Sequence, residues 1–192
     1  MEEDSQKNRL TIFKYNAILS ILFFLSSTFY MGVRTTNYNF SNYTISGLAR
    51  FLDKENLSIF NSLFFIKTFL DLSFAYYVFK FYNLRLKTLP ATILLIAILS
   101  FGLFGFFPIN RFPLIHLVIF VTTFFSWTFS QYILAKLTLS ENFINFSKYI
   151  ILIESIMANL FLFLNYFNAI SETIYSLLVF FWLTIFIGRY LK

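Results

Sequence analysis

Long apolar stretches alternate with short polar breaks along nearly the whole chain. A membrane span needs about 20 mostly apolar residues to cross roughly 30 Å of hydrocarbon. Six stretches meet that requirement, at about 12–33, 59–82, 89–107, 112–135, 146–167 and 173–190. The first is too long for a signal-peptide core and has no small-x-small cleavage site after it, so it is expected to be retained. Pro90 opens the third stretch in the first turn, where a missing N–H does no harm. Phe107-Pro108-Ile109-Asn110-Arg111-Phe112-Pro113 separates the third from the fourth. Short connections make neighbours antiparallel, so the pattern predicts one all-α integral membrane domain over 1–192, a bundle of six transmembrane helices.

Composition agrees with that reading. Hydrophobic residues make up 58% of the 192 positions and charged residues only 12%, against roughly 25% charged in soluble domains. The charges that exist lie at span ends. Ten Lys and Arg (Lys7, Arg9, Lys14, Lys80, Arg85, Lys87, Lys136, Lys148, Arg189, Lys192) fall on one side, and four (Arg34, Arg50, Lys54, Arg111) on the other. The excess of positive residues predicts that both termini are cytoplasmic, in a multi-pass protein of the cell membrane. The same scatter argues against a nucleic-acid surface, despite a net charge of +6. Zero Cys excludes thiolate zinc sites, iron–sulfur clusters and cysteine nucleophiles, and a single His leaves no usual metal site; no cofactor or metal is expected.

The outer loop, 34–58, is the only long one, and a loop of that length usually carries function or structure of its own. Apolar residues at 45, 48, 49, 51 and 52 would suit a short interfacial helix, or a connector resting on the bundle. Asn39-Phe40-Ser41, Asn42-Tyr43-Thr44 and Asn56-Leu57-Ser58 match the N-glycosylation pattern.

Polar residues inside spans are the candidate functional groups, because a charge at mid-membrane costs roughly 2.5–3.5 kcal/mol and so faces protein or water. Lys67 and Asp71 stand at i and i+4, about 40° apart on the wheel, and can neutralise each other. They are read either as an ion pair that fixes packing or as part of a polar cavity. The fourth span aligns His116, Thr123, Trp127 and Ser130, with Gln131 at the edge. The fifth places Ser147, Glu154, Ala158 and Asn165 on one face, with no evident partner for Glu154. The first aligns Asn16, Ser20, Ser27 and Tyr30. The sixth offers little beyond Thr184 and is expected to be peripheral. Gly102 and Gly105, at the end of the third span, permit close packing on a neighbouring helix.

The run from Gly102 through Gly105 and Pro108 to His116, with Ile45-Ser46-Gly47-Leu48 and Asn61 opening the second span, resembles the uncharacterised six-span family known as domain of unknown function 998. More loosely, the layout is similar to the DRAM-like six-span proteins. The resemblance covers about residues 15–190. It implies a fold and topology and no chemistry.

Three function classes remain. The first is non-catalytic binding of a lipid or membrane partner through a polar intramembrane site, with Lys67, Asp71 and His116 as the ligand-binding set and Glu154, Asn165, Asn16 and Gln131 as further polar groups. Lys67 and Asp71 lie about 12 and 18 Å below the outer surface and His116 about 6 Å, at 1.5 Å per residue. The expected partners are then the bilayer itself, a lipid headgroup or another membrane protein. The second is a transporter or substrate-capturing subunit for a small molecule, although an internal repeat and broken helices are lacking. The third is an intramembrane hydrolase or transferase, in which His116, Asp71 and a serine such as Ser46 would have to meet. No G-x-S-x-G or H-E-x-x-H motif supports it, and no catalytic residue is assigned.

Overall fold

A computed structural model describes residues 11–163 and 168–192, the side chains of 160–163 excepted. Asn165, Lys7 and Arg9, singled out above, lie outside the described residues. The elements are α1 (Asn16–Arg34), a 3-10 turn (Ser46–Arg50), α2 (Lys54–Phe81), α3 (Leu89–Leu103), α4 (Pro113–Leu137), α5 (Glu141–Phe163) and α6 (Ala169–Tyr190). The described chain is all-helical. Four helices, α1, α2, α4 and α6, are long and apolar enough to cross a membrane.

Local chemistry sets where these helices begin and end. α2 starts five residues before the apolar run, because Asp53 caps it by accepting the Asn56 N–H at 2.8 Å and the Asn56 amide at 2.9 Å. Those bonds hold the Asp53 carboxyl below its ordinary pKa. α3 stops at Leu103, short of the expected 107. The chain winds through tight turns there, with the Gly105 N–H on the Gly102 carbonyl (3.2 Å) and the Phe107 N–H on the Leu103 carbonyl (3.0 Å), before Pro108 ends it. Its 15 residues give about 22 Å, less than a hydrocarbon core. α6 starts at Ala169 with a reciprocal cap between Asn168 and Ser171.

Each helix packs on the one before and the one after it, and α1 closes on α6, so the six form a ring in chain order. In this ring α3 lies between α2 and α4, and α5 stands opposite α2. Both glycines at the end of α3 touch α2. A Cβ on Gly102 would stand 2.8 Å from the Thr68 hydroxyl, and one on Gly105 2.9 Å from the Asn61 carbonyl oxygen. The segment before α1 meets the residue after α6 where Lys14 Nζ donates to the Leu191 carbonyl at 3.2 Å.

The buried core has two parts. At the end where Lys14 meets Leu191, Trp182, Phe186, Leu183, Phe143, Val78 and Leu94 pack together. At the opposite end, Leu48, Ala49, Phe60, Phe64, Phe104 and Ile119 form a second cluster beneath the long loop. The expectation that the last helix is peripheral is overturned. Trp182, Leu183, Phe186 and Ile187 are each at most 1% exposed, and Trp182 Nε1 donates to Ser147 Oγ of α5 at 2.7 Å. An aromatic face reads the same whether it meets lipid or core. The 3-10 turn also packs inward, burying Gly47, Leu48 and Ala49. Large apolar side chains such as Phe69, Leu114, Phe125 and Phe29 stand outward instead, as in a protein whose surroundings are hydrocarbon.

Candidate functional site: a roofed cavity between two cores

Between the two apolar clusters lies a cavity of about 140 Å³, walled by side chains from all six helices and by the 3-10 turn. Three polar groups of contacts surround it. On α2, Asp71 accepts from Lys67 Nζ one turn away and from Ser20 Oγ of α1. Lys67 and Asp71 are 7% and 1% exposed. The Lys67 ammonium also sits over the rings of Phe101 (4.5 Å) and Trp127 (5.7 Å), which supply negative π faces. Nearby, the Asn16 amide donates to Ser73 Oγ at 2.6 Å, tying α1 to α2.

Across the ring, Glu154 of α5 is fully buried and accepts from Gln131 Nε2 (2.9 and 3.1 Å) and Thr128 Oγ1 (3.2 Å), both on α4. The Thr128 hydroxyl lies 3.3 Å from that of Tyr175 on α6. The Gln131 carbonyl oxygen is buried without a partner. No cation stands against Glu154: among the described residues, the one salt bridge is Lys67–Asp71.

The long loop forms the roof, and it is fastened on two sides. Toward α6, the Ile45 N–H donates to Glu172 Oε2, the Ala169 N–H to the Tyr43 carbonyl (2.7 Å) and the Asn168 amide to the Ser41 carbonyl (2.8 Å). Tyr38 donates its hydroxyl to the Thr44 carbonyl at 3.0 Å; burial first, and then the nearby Glu172 charge, push its pKa above the ordinary tyrosine value. Toward α4, His116 Nε2 lies 2.9 Å from Ser46 Oγ, and Nδ1 lies 2.8 Å from the Phe107 carbonyl. A carbonyl can only accept, so Nδ1 carries the proton and donates. Nε2 of the neutral ring is then left to accept from Ser46.

Of the expected ligand set, Lys67 and Asp71 line the cavity, and His116 does not. His116 stands behind the wall, one hydrogen bond removed, with both ring nitrogens committed to the roof and to the α3–α4 connection. Asp71 and His116 therefore do not form a relay with Ser46. Glu154 lines the cavity, with Gln131 holding it from behind, while Asn16 acts at the α1–α2 seam.

Glu172, Tyr175 and the role of Ser20 in bonding Asp71 are absent from the sequence reading. Glu172 had a usable signal, since Asn168 three residues before Ser171 marks a helix start and moves Glu172 out of a turn into the first helical turn. Ser20 had none, because one sequence does not say which helix faces which. Among the described residues, no three His, Cys, Asp or Glu gather as a metal site. No protein-family model, curated protein or solved structure matches this chain.

Proposed function

We propose that this is a six-span protein of the cell membrane, with both termini cytoplasmic and the roof outside, that binds the polar head of a lipid or of another membrane amphiphile without transforming it. One observation carries the reading. Buried polar side chains from separate helices converge on a single cavity, and its remaining wall is apolar and aromatic. Such a lining suits an amphiphile, with a few placed polar groups orienting it inside a largely apolar site. Ala158 also lines the cavity, and replacing it with Phe fills the space from an otherwise neutral position. Native mass spectrometry of the protein purified in mild detergent should show a retained amphiphile in the wild type and its loss in Ala158→Phe. Equal retention in both would place binding elsewhere and defeat the proposal.

The contact between Ser46 and His116 favours a second reading, acyl transfer with Ser46 as nucleophile and His116 as base. Against it, the amides on either side of Ser46 are already engaged. The Ile45 N–H donates to Glu172 and the Gly47 N–H to Thr44 Oγ1 at 2.9 Å, so neither is free to stabilise an oxyanion. Labelling of Ser46 by a fluorophosphonate, absent in Ser46→Ala, would reverse this preference.

A further inference from the structure

We infer that the cavity takes a small organic ammonium group, such as a trimethylammonium or primary amine head; this rests on the headgroup-binding reading and names its ligand class. Charge comes first. The cavity wall carries Lys67, Asp71, Glu154 and Glu172. Lys67 and Asp71 cancel, and no described basic side chain forms a salt bridge with Glu154 or Glu172. Beyond the Lys67–Asp71 pair the wall thus holds two carboxyl groups, neither paired with a cation, in surroundings where an ionised carboxylate is costly unless paired. An anionic head would have to enter beside both of them.

The rest of the wall points the same way. Phe64, Phe101, Phe120, Phe124, Trp127 and Tyr175 line it, and aromatic faces combined with acidic groups are a recurrent means of holding quaternary ammonium. Lys67 already shows that these rings accept a cation, over Phe101 and Trp127. A metal ion is disfavoured, because it needs several converging oxygen or nitrogen ligands, and among the described residues no such group of His, Cys, Asp or Glu exists. A cavity of 140 Å³ is close to one that holds a benzene-sized guest, roughly 150 Å³, which suits a compact alkylammonium.

Trp127 in the wall gives a fluorescence readout. The full chain in maltoside is titrated with choline, with 3,3-dimethylbutan-1-ol (its uncharged isostere) and with glycerol phosphate. Choline should bind at least tenfold more tightly than the isostere, and glycerol phosphate should not compete. Glu154→Gln should weaken choline at least tenfold; if that variant fails to fold, Glu172→Gln provides the same comparison. Nanodiscs of phosphatidylcholine and of phosphatidylglycerol separate the sources. A choline response seen only in phosphatidylglycerol discs identifies a lipid head as the occupant, and an equal response in both identifies a free amine; either supports the ammonium site. Equal binding of choline and isostere, or displacement by glycerol phosphate, overturns the ammonium assignment while the headgroup reading stands. No ligand response, together with no amphiphile retained by the wild type, overturns both.

Discussion

The two ends of the bundle are held together by different physics. Where Lys14 meets Leu191, rings stack on rings: Phe143 lies 5.4 Å from Trp182 and 6.1 Å from Phe186, and Trp182 lies 5.0 Å from Phe186. At the roofed end the loop tucks Leu48 and Ala49 into a small apolar cluster and is fastened by a set of directional bonds, through Glu172, Asn168, Ala169 and His116. Stacked apolar surfaces are costly to separate at any point. A loop fastened by a few hydrogen bonds worth about 0.5–1.5 kcal/mol each and by one short apolar turn can open locally while the rest stays folded. The cavity sits between these regimes. On the proposed binding reading, a ligand would enter from the roofed side without disturbing the opposite core.

The strongest way to break this comparison is to remove the largest ring from the stacked end. Trp182→Ala deletes a side chain that is 1% exposed and frees the Ser147 hydroxyl that accepts its N–H. Loss of about 3–5 kcal/mol is expected from the void, read as a fall in the unfolding midpoint at fixed detergent. A midpoint within a degree of wild type would mean that the stacked end is not the anchor.

Next in size is the seam between the two ends. Lys67→Ala leaves Asp71 buried with only Ser20 as a partner. Breaking a buried pair in this way costs about 3–5 kcal/mol, and water in the adjoining cavity should bring the loss to the low end of that range. Lys67→Ala/Asp71→Ala removes both charges and should recover part of the stability in the same assay. Additive losses would show that the two residues do not act as a pair.

The seam also marks where sequence stops being informative. Lys67 and Asp71 were legible as a pair because i,i+4 geometry lies within one helix. Pro90 in the first turn of α3 and the glycines closing that helix were legible for the same reason, since backbone chemistry is local. Glu154 was conspicuous as a charge in a span, but its partners Gln131 and Thr128 belong to another helix. The ring order that brings α4 beside α5 is not written in periodicity. α6 was misread because Phe and Trp are equally at home against lipid and against each other. The roof was legible as a long loop, and its fastening was not. Ile45 of the roof and Ala169 of α6 make that fastening through backbone N–H groups, which every residue except proline possesses.

The smallest expected effect probes the roof itself. Ser46→Ala removes the hydroxyl that His116 Nε2 accepts from, and leaves that nitrogen without a protein partner behind the cavity wall. His116 is 5% exposed, so the loss is that of one hydrogen bond plus partial desolvation, about 1–2 kcal/mol if the whole protein felt it. The bonds from Ile45, Ala169 and Asn168 to their partners remain in place, and the roof opens without the stacked core. The global unfolding midpoint should therefore move little, while amide exchange across residues 44–50 rises several-fold and Trp182 fluorescence is unchanged. Ser46→Thr keeps the hydroxyl and should restore protection if its methyl group is accommodated. A fall in the global midpoint as large as that of Lys67→Ala would show instead that roof and core unfold as one unit, and would erase the distinction between the two ends.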